Sequence, residues 1–256
     1  MKNTLIKAAL ESGKILKENF GSNFKISSKD VVSNLVTEID KKSEERIFDI
    51  IRQDFPGHYI LSEEAGALVQ ESEYKWIIDP IDGTVNYAHA IPLTCVSIAL
   101  EKNGVVILGA VHNPISGEFF FAEKDNGASL NDEEISVSDC TEFGRSLLVT
   151  GFPYDSSSYK PDPVEIFKKF IMLDMPIRRL GSAALDLCWT ACGRFEAFWE
   201  YNLNAWDVAA GALILEEAGG LITDLSGKDF SVYGKELLAV NNSVIQKAML
   251  DVINEI

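Results

Sequence analysis

The run Trp76-Ile77-Ile78-Asp79-Pro80-Ile81-Asp82-Gly83-Thr84 limits this chain more than any other segment. Its apolar start predicts a buried strand, and Pro80, which has no N–H to give, is expected to stop the pairing just past Asp79. Asp79 and Asp82 then converge at a strand end. The Gly83-Thr84 pair behind them has N–H groups that can meet a phosphate at a helix N-terminus. Two carboxylates that close raise each other's pKa unless a cation holds them. Taken alone, the run fits an ordinary turn as well as a metal site, because Asp-Pro and Asp-Gly are both common turn dipeptides.

Two further acidic positions favour the metal. Glu63-Glu64 follows the apolar run Tyr59-Ile60-Leu61, again at a predicted strand end, and Asp207 follows Trp206 at the start of an apolar helix running to Ala218. A first-turn acid also suits a helix start for electrostatic reasons alone. The three histidines, His58, His89 and His112, are scattered and read as surface or hydrogen-bonding residues. Carboxylates from several element ends with few imidazoles make an oxygen-rich set, which suits Mg²⁺ better than Zn²⁺. The formal charge of −16 repels nucleic-acid backbones and attracts cations. A phosphate substrate would therefore need metal ions or backbone N–H groups to offset that field.

The rest of the chain reads as mixed α/β. Leu5, Ala9, Ser12, Leu16 and Phe20 predict a helix stopped at Gly21, and Ile39 to Phe55 a second one ended by Pro56-Gly57. Between them, Ser27 to Asn34 reads as a loop or hairpin. Strands are expected over 75–79, 94–102, 105–112 and 118–122, with Asn103-Gly104 a hairpin turn. In the second half, strands over 146–150, 177–180, 195–199, 221–223 and 238–240 alternate with helices over 163–173, 183–192 and 205–218. A last helix is expected to be capped by Ser243. No linker separates independent units, so residues 1–256 are expected to form one compact domain with two lobes, about 1–140 and 141–256. The N-terminal segment mixes Lys2, Lys7, Glu11 and Lys14 into its apolar residues and does not read as a targeting signal, and no stretch predicts a membrane span. The four cysteines suggest no disulfide framework; Cys188 and Cys192 read as core thiols, in keeping with the cytoplasm.

Three segments resemble signatures of the inositol monophosphatase family: Ser62-Glu63-Glu64, the Asp79 to Thr84 run extended by Asn86-Tyr87, and Trp206-Asp207-Val208-Ala209-Ala210-Gly211 with Glu217-Ala218-Gly219-Gly220. Arg179-Leu180-Gly181-Ser182-Ala183-Ala184 is similar to another family segment, and the likeness runs from about Leu35 to Asn242. The resemblance implies a layered α-β-α-β-α sandwich and Mg²⁺-dependent hydrolysis of a small phosphate monoester, inositol 1-phosphate first, by metal-activated water without a covalent intermediate. It implies two or three Mg²⁺ ions: Glu63, Asp79 and the Ile81 carbonyl at the first, Asp79, Asp82 and Asp207 at the second, and a looser third near Glu63. Thr84 and Asp40 would orient the water that Glu63 helps activate. Gly83 and Thr84 would bind phosphate, and Asp82, Ala183, Glu200 and Asp207 the polyol. Lys29 matches a family lysine near the metal loop. A homodimer and lithium sensitivity are further family traits.

Other readings stay open. Fructose-1,6-bisphosphate, adenosine 3′,5′-bisphosphate and histidinol phosphate are alternative substrates within the family, and the segment Tyr201 to Ala205 carries no substrate-specific pattern. Aspartyl-phosphate phosphatases need Asp-x-Asp, whereas two residues separate Asp79 from Asp82. No Walker run is present. A regulatory protein-interaction module is the rival outside enzymes, but the set Glu63, Asp79, Asp82, Thr84 and Asp207 speaks for catalysis.

Overall fold

The structure is a computed structural model that describes residues 1–22, 26–28, 35–153, 155 and 158–255, with backbone alone for 26–28, 35 and 36. Lys29 lies outside the described residues. Helix α1 (Lys2–Asn19) buries Leu5, Ala8, Ala9, Ser12 and Leu16, the face its periodicity predicts. A short ladder then pairs β1 (Ile26–Ser28) with β2 (Leu35–Thr37), so the ends of the expected hairpin are present. Thr37 caps α2 (Glu38–Asp54): its hydroxyl oxygen accepts the Ile39 N–H at 3.1 Å.

Strands β3 (Tyr59–Ser62), β4 (Gly66–Leu68) and β5 (Tyr74–Asp82) follow, then the five-residue α3 (Thr84–Ala88). A meander of β6 (Cys95–Lys102), β7 (Val105–Asn113), β8 (Glu118–Glu123), β9 (Ala128–Leu130) and β10 (Glu133–Glu134) completes a sheet ordered β10-β9-β8-β7-β6-β5-β3-β4. Asn103 and Gly104 both have positive φ, 50° and 84°, as a two-residue hairpin turn of this twist requires. Only β3 and β5 run parallel in this sheet.

The second half builds a sheet ordered β12-β11-β13-β15-β14, from β11 (Leu148–Thr150), β12 (Ile177–Arg178), β13 (Ala197–Tyr201), β14 (Leu221–Thr223) and β15 (Glu236–Val240). Its helices are α4 (Pro163–Met172), α5 (Ala183–Ala191), α6 (Ala205–Glu217) and α7 (Ser243–Ile253). The cap of α7 is Asn242 rather than the expected Ser243: the Asn242 carboxamide oxygen accepts the Val244 and Ile245 N–H groups at 2.9 and 3.0 Å. Asparagine and serine are comparable caps, so their adjacency left the boundary ambiguous by one residue.

Three apolar cores show the layering. One lies between α1, α2 and the first sheet, with Leu5, Ile47, Trp76 and Ile78. The second fills the space around α5 and α6 between the sheets, with Ile77, Leu187, Phe198 and Leu213. The third joins the far face of the second sheet to α4 and α7, with Ile166, Trp199, Leu238 and Ile245. Period-two alternation sends Ile77 one way and its neighbours Trp76 and Ile78 the other. The fold is thus the α-β-α-β-α sandwich expected. Among the described residues no helix is long and apolar enough to cross a membrane.

Candidate active site

A cleft of about 630 Å³ opens where the ends of β3 and β5 meet the N-termini of α3, α5 and α6. Parallel pairing carries Ser62 and Ile78 to the same level, so the chain delivers Glu63 and Asp79 to one edge. Pro80 does not stop β5. The ladder to β6 pairs Asp79 with Ser97 and next Asp82 with Cys95, so the first strand spends one extra residue. This is a β-bulge, and Pro80 fits it because a bulge leaves a residue unpaired. Residues three apart on a regular strand face opposite sides. The bulge removes that difference, and both Asp79 and Asp82 line the cleft.

Asp79 is 2% exposed, and its Oδ1 accepts the Ile81 N–H at 3.0 Å. Asp82 is held from the other half of the molecule: its Oδ2 accepts the Ser182 hydroxyl at 2.7 Å and the Ala184 N–H at 2.8 Å. An acid on the first sheet thus caps α5. Cys95 Sγ, 3.8 Å away, donates to the same oxygen. Asp207, at the third position of α6, accepts the Asn204 N–H at 2.7 Å, so the first-turn helix role and a place in the cleft coexist.

Gly83 has φ +81°, and a Cβ there would lie 2.7 Å from the Leu93 carbonyl oxygen, so only glycine fits the step into α3. Thr84 follows; its hydroxyl is 2.9 Å from the Ile81 carbonyl and 3.3 Å from Asp40 Oδ1. Its single hydrogen can serve only one of these acceptors at a time. Asp40 is fully buried, and its other oxygen accepts the Thr37 N–H at 2.7 Å and hydroxyl at 2.6 Å.

Burial raises Asp40, Asp79, Asp82, Glu200 and Asp207. Asp79 stands well above the usual carboxylate range, through desolvation first and then repulsion from Glu63, Asp82 and Asp207. Desolvation likewise pushes Asp82 up to about 6 and Asp207 up to about 8, each also repelled by Glu63. Asp40 rises to about 6, chiefly by burial. Glu200, at the end of β13, rises to about 8 through burial and then Asp207 and Asp82, with Arg179 pulling the other way. Among the described residues no three such side chains already close into a finished metal cage. Their raised values mark instead a cluster that holds protons near neutral pH until a cation replaces them.

Glu63, Asp79, Ile81, Asp82, Gly83, Thr84, Ala183, Glu200 and Asp207 all line this cleft, and Asp40 stands behind Thr84. Sequence reasoning gave no role to Ser182, although a serine before an apolar helix is an N-cap signal. Nor did it single out Arg179, the only lysine or arginine among the described lining residues. Of the other predicted non-ligands, His89 lines the cleft and the rest lie outside it, with Cys192 only partly buried. His58 accepts the Trp76 indole N–H at 3.1 Å, His112 Nδ1 is 3.1 Å from the Ala9 carbonyl, and Cys188 is buried.

Comparison with known proteins sets first the class and then the family. Inositol-1-monophosphatase of Mesorhizobium japonicum is 36% identical over 256 residues, covering 99% of this chain and 96% of its own. A Pasteurella multocida protein named Nus factor SuhB is 36% identical, covering 97% and 94%. The crystal structure of extragenic suppressor protein suhB from Bartonella henselae superposes with a TM-score of 0.92 at 34% identity, covering 99% of this chain and 98% of that one. These relatives mark the protein as a phosphoric monoester hydrolase. The inositol monophosphatase family model matches residues 1–256, and the chain belongs to that family.

Proposed function

We propose that the protein hydrolyses a small polyol phosphate, with inositol 1-phosphate the leading substrate, and that two or three Mg²⁺ ions serve the reaction. The observation that carries this reading is one cleft in which Glu63 after β3, Asp79 and Asp82 of β5, and Asp207 of α6 meet beside the Thr84–Asp40 pair. The donor set is carboxylate and carbonyl oxygen, and the buried acids repel one another, so a hard divalent cation fits it. Glu63, Asp79 and the Ile81 carbonyl would hold one ion and Asp79, Asp82 and Asp207 another, with a looser third near Glu63. When bound, Mg²⁺ supplies positive charge that makes water a usable nucleophile near neutral pH and offsets charge on the leaving oxygen.

The chain's own groups do the rest. Thr84 gives its hydroxyl hydrogen to Asp40 or the Ile81 carbonyl, which leaves its oxygen lone pairs to accept a hydrogen bond from the attacking water. The Glu63 carboxylate takes the water's proton. Gly83 and Thr84 N–H groups donate to the phosphoryl oxygens. Asp82, Ala183, Glu200 and Asp207 surround the space left for the polyol, where acceptor carboxylates suit hydroxyl groups. The reading extends to one two-lobed unit parting near Cys140, which is supported by α5 meeting Asp82 across the divide. It extends also to a lithium-sensitive cytoplasmic homodimer.

A panel of phosphate monoesters with Mg²⁺, followed by phosphate release, tests the substrate. Fastest release from inositol 1-phosphate, abolished by chelation, is the expected result. Preference for fructose-1,6-bisphosphate, adenosine 3′,5′-bisphosphate or histidinol phosphate would replace the substrate. No release from any compound would favour a regulatory interaction module, the reading suggested by the relative named Nus factor SuhB.

A further inference from the structure

One face of α2 touches three of the segments that build the cleft, at Thr84, Pro80 and Ser62–Ala65. Asp40, Ser43 and Glu44 are spaced i, i+3, i+4 and are 0%, 0% and 6% exposed. Asp40 faces the Thr84 hydroxyl at 3.3 Å, and the Ser43 hydroxyl donates to the Pro80 carbonyl at 2.9 Å. Glu44 reaches the third segment. Its Oε1 accepts both the Ser62 hydroxyl and, at 3.1 Å, the Ala65 N–H. Those two donors bracket Glu63 and Glu64.

The bracket joins the two ends of a turn that no strand ladder spans. β3 ends at Ser62 and β4 starts at Gly66, so residues 63–65 lie outside both strands, with the Glu63 N–H donating to the Ile78 carbonyl at 3.1 Å. One oxygen that accepts donors from both ends of the turn ties residues 62 and 65 to α2. That tie matters because a displacement of about 1 Å at a reacting group can lose about 10²-fold in rate.

We propose that Glu44 is a positioning residue, closing the Ser62–Ala65 turn so that the Glu63 carboxylate is held at the place where it meets metal and water. The inference rests on the role given to Glu63 above. Glu44→Ala removes the acceptor; Glu44→Gln keeps an oxygen that both donors can reach.

The test measures three quantities on the full chain: steady-state kinetics with inositol 1-phosphate, Mg²⁺ affinity by titration calorimetry, and hydrogen exchange at the Ala65 amide. For Glu44→Ala the expectation is a kcat loss of about 10- to 100-fold, with KM changed less than about threefold. Mg²⁺ should bind about fivefold or more weakly, and Ala65 should exchange about tenfold or more faster, from loss of its acceptor. Glu44→Gln should restore all three to within about threefold, which general loss of packing would not predict. Should Glu44→Ala fail to fold, Ser62→Ala, which removes one donor, is expected to lower kcat about three- to tenfold. Glu44→Ala with wild-type kcat beside an inactive Glu63→Gln would overturn the proposal, as would a Glu44→Gln variant as impaired as Glu44→Ala. A fully active Glu63→Gln would overturn the role of Glu63 itself and the inference with it.

Discussion

Asp82→Asn separates what Asp82 does for folding from what it does for the reaction. The residue is 9% exposed, and one of its oxygens caps α5 through Ser182 and Ala184. Burial is the dominant influence and lifts its pKa from 3.8 to about 6, with the Ser182 and Ala184 donors pulling back and Glu63 adding repulsion. An acid raised on folding binds more protons folded than unfolded between those two values. The wild type therefore loses stability as pH climbs from 3.8 through 6, and the deficit persists above. The gap corresponds to about 3 kcal/mol at pH 7.5 in the absence of a bound cation. Asparagine keeps an oxygen for the Ser182 and Ala184 donors and turns a nitrogen toward the cleft, where it cannot ligate Mg²⁺. Without divalent metal, the variant is expected to melt at or above the wild type at pH 7.5, by up to about 10 °C for a chain of this size. The advantage should vanish at pH 3.5. Turnover of inositol 1-phosphate should fall by about 10²-fold or more, as for loss of a preorganised charge. Thermal melts with and without Mg²⁺ at both pH values, beside phosphate release, read both effects. A metal-free variant that melts several degrees below the wild type at pH 7.5, or turnover within about fivefold of it, would refute the reasoning.

Gly151→Ala would set a Cβ 2.1 Å from the Glu200 carboxylate, so Glu200 must swing away. KM for inositol 1-phosphate should rise about fivefold or more while kcat changes less, as for lost substrate binding, and similar changes in both would count against a polyol role for Glu200. Gly83→Ala combines φ +81° with a 2.7 Å approach to the Leu93 carbonyl, and should lower both stability, by about 1–3 kcal/mol in denaturant titrations, and turnover. At Gly211 a Cβ would lie 2.7 Å from Leu187 Cβ and 3.3 Å from the Ala184 carbonyl. Gly211→Val should therefore push α6 from α5, at a cost of about 1–3 kcal/mol, and the Ala184 N–H with it. A variant with unaltered melting would show that this helix crossing has slack.

Much of the frame was legible because periodicity and turn chemistry agree along the chain. The helical spacing of Leu5 to Leu16, the Asn103-Gly104 turn and the apolar run at Trp76 each specify their element locally. The short strands Gly66–Leu68, Ala128–Leu130 and Glu133–Glu134 escaped detection, because two or three residues carry no measurable alternation and these lack the β-branched residues that mark the equally short Ile177–Arg178 and Leu221–Thr223. Pro80 was misread for a related reason. A missing N–H predicts the loss of one rung, and whether the strand ends there or bulges depends on whether β6 continues alongside. The acids themselves were visible as residue types at element ends. What holds them was not: Ser182 and Asp82 are 100 residues apart, and Glu44 and Ser62 are 18 apart on different elements. Such pairs leave no trace in local pattern.

The way these acids are supported also explains why the fold tolerates them. Asp82 receives the Ala184 N–H in the first turn of α5, and Asp207 the backbone N–H of Asn204 at the start of α6. Two helix N-termini thus supply partial positive charge where a folded chain would otherwise need lysines. Small residues make that arrangement possible. A Cβ on Gly109 of β7 would lie 2.9 Å from the Ala210 carbonyl, so α6 rests almost directly on the first sheet. Ala209, Ala210 and Gly211 let it pass between α5 and that sheet. Helix dipoles offset only a fraction of a charge each, however, and Arg179 is the only full positive charge among the described lining side chains. The remaining cost is met by protons, which the raised Asp79, Glu200 and Asp207 carboxyls hold near neutral pH, or by a cation that displaces them. Cation binding at the cleft is therefore expected to release protons and to strengthen as pH rises through about 6 and 8, the values of Asp82 and Asp207, and titration calorimetry across that range measures both effects.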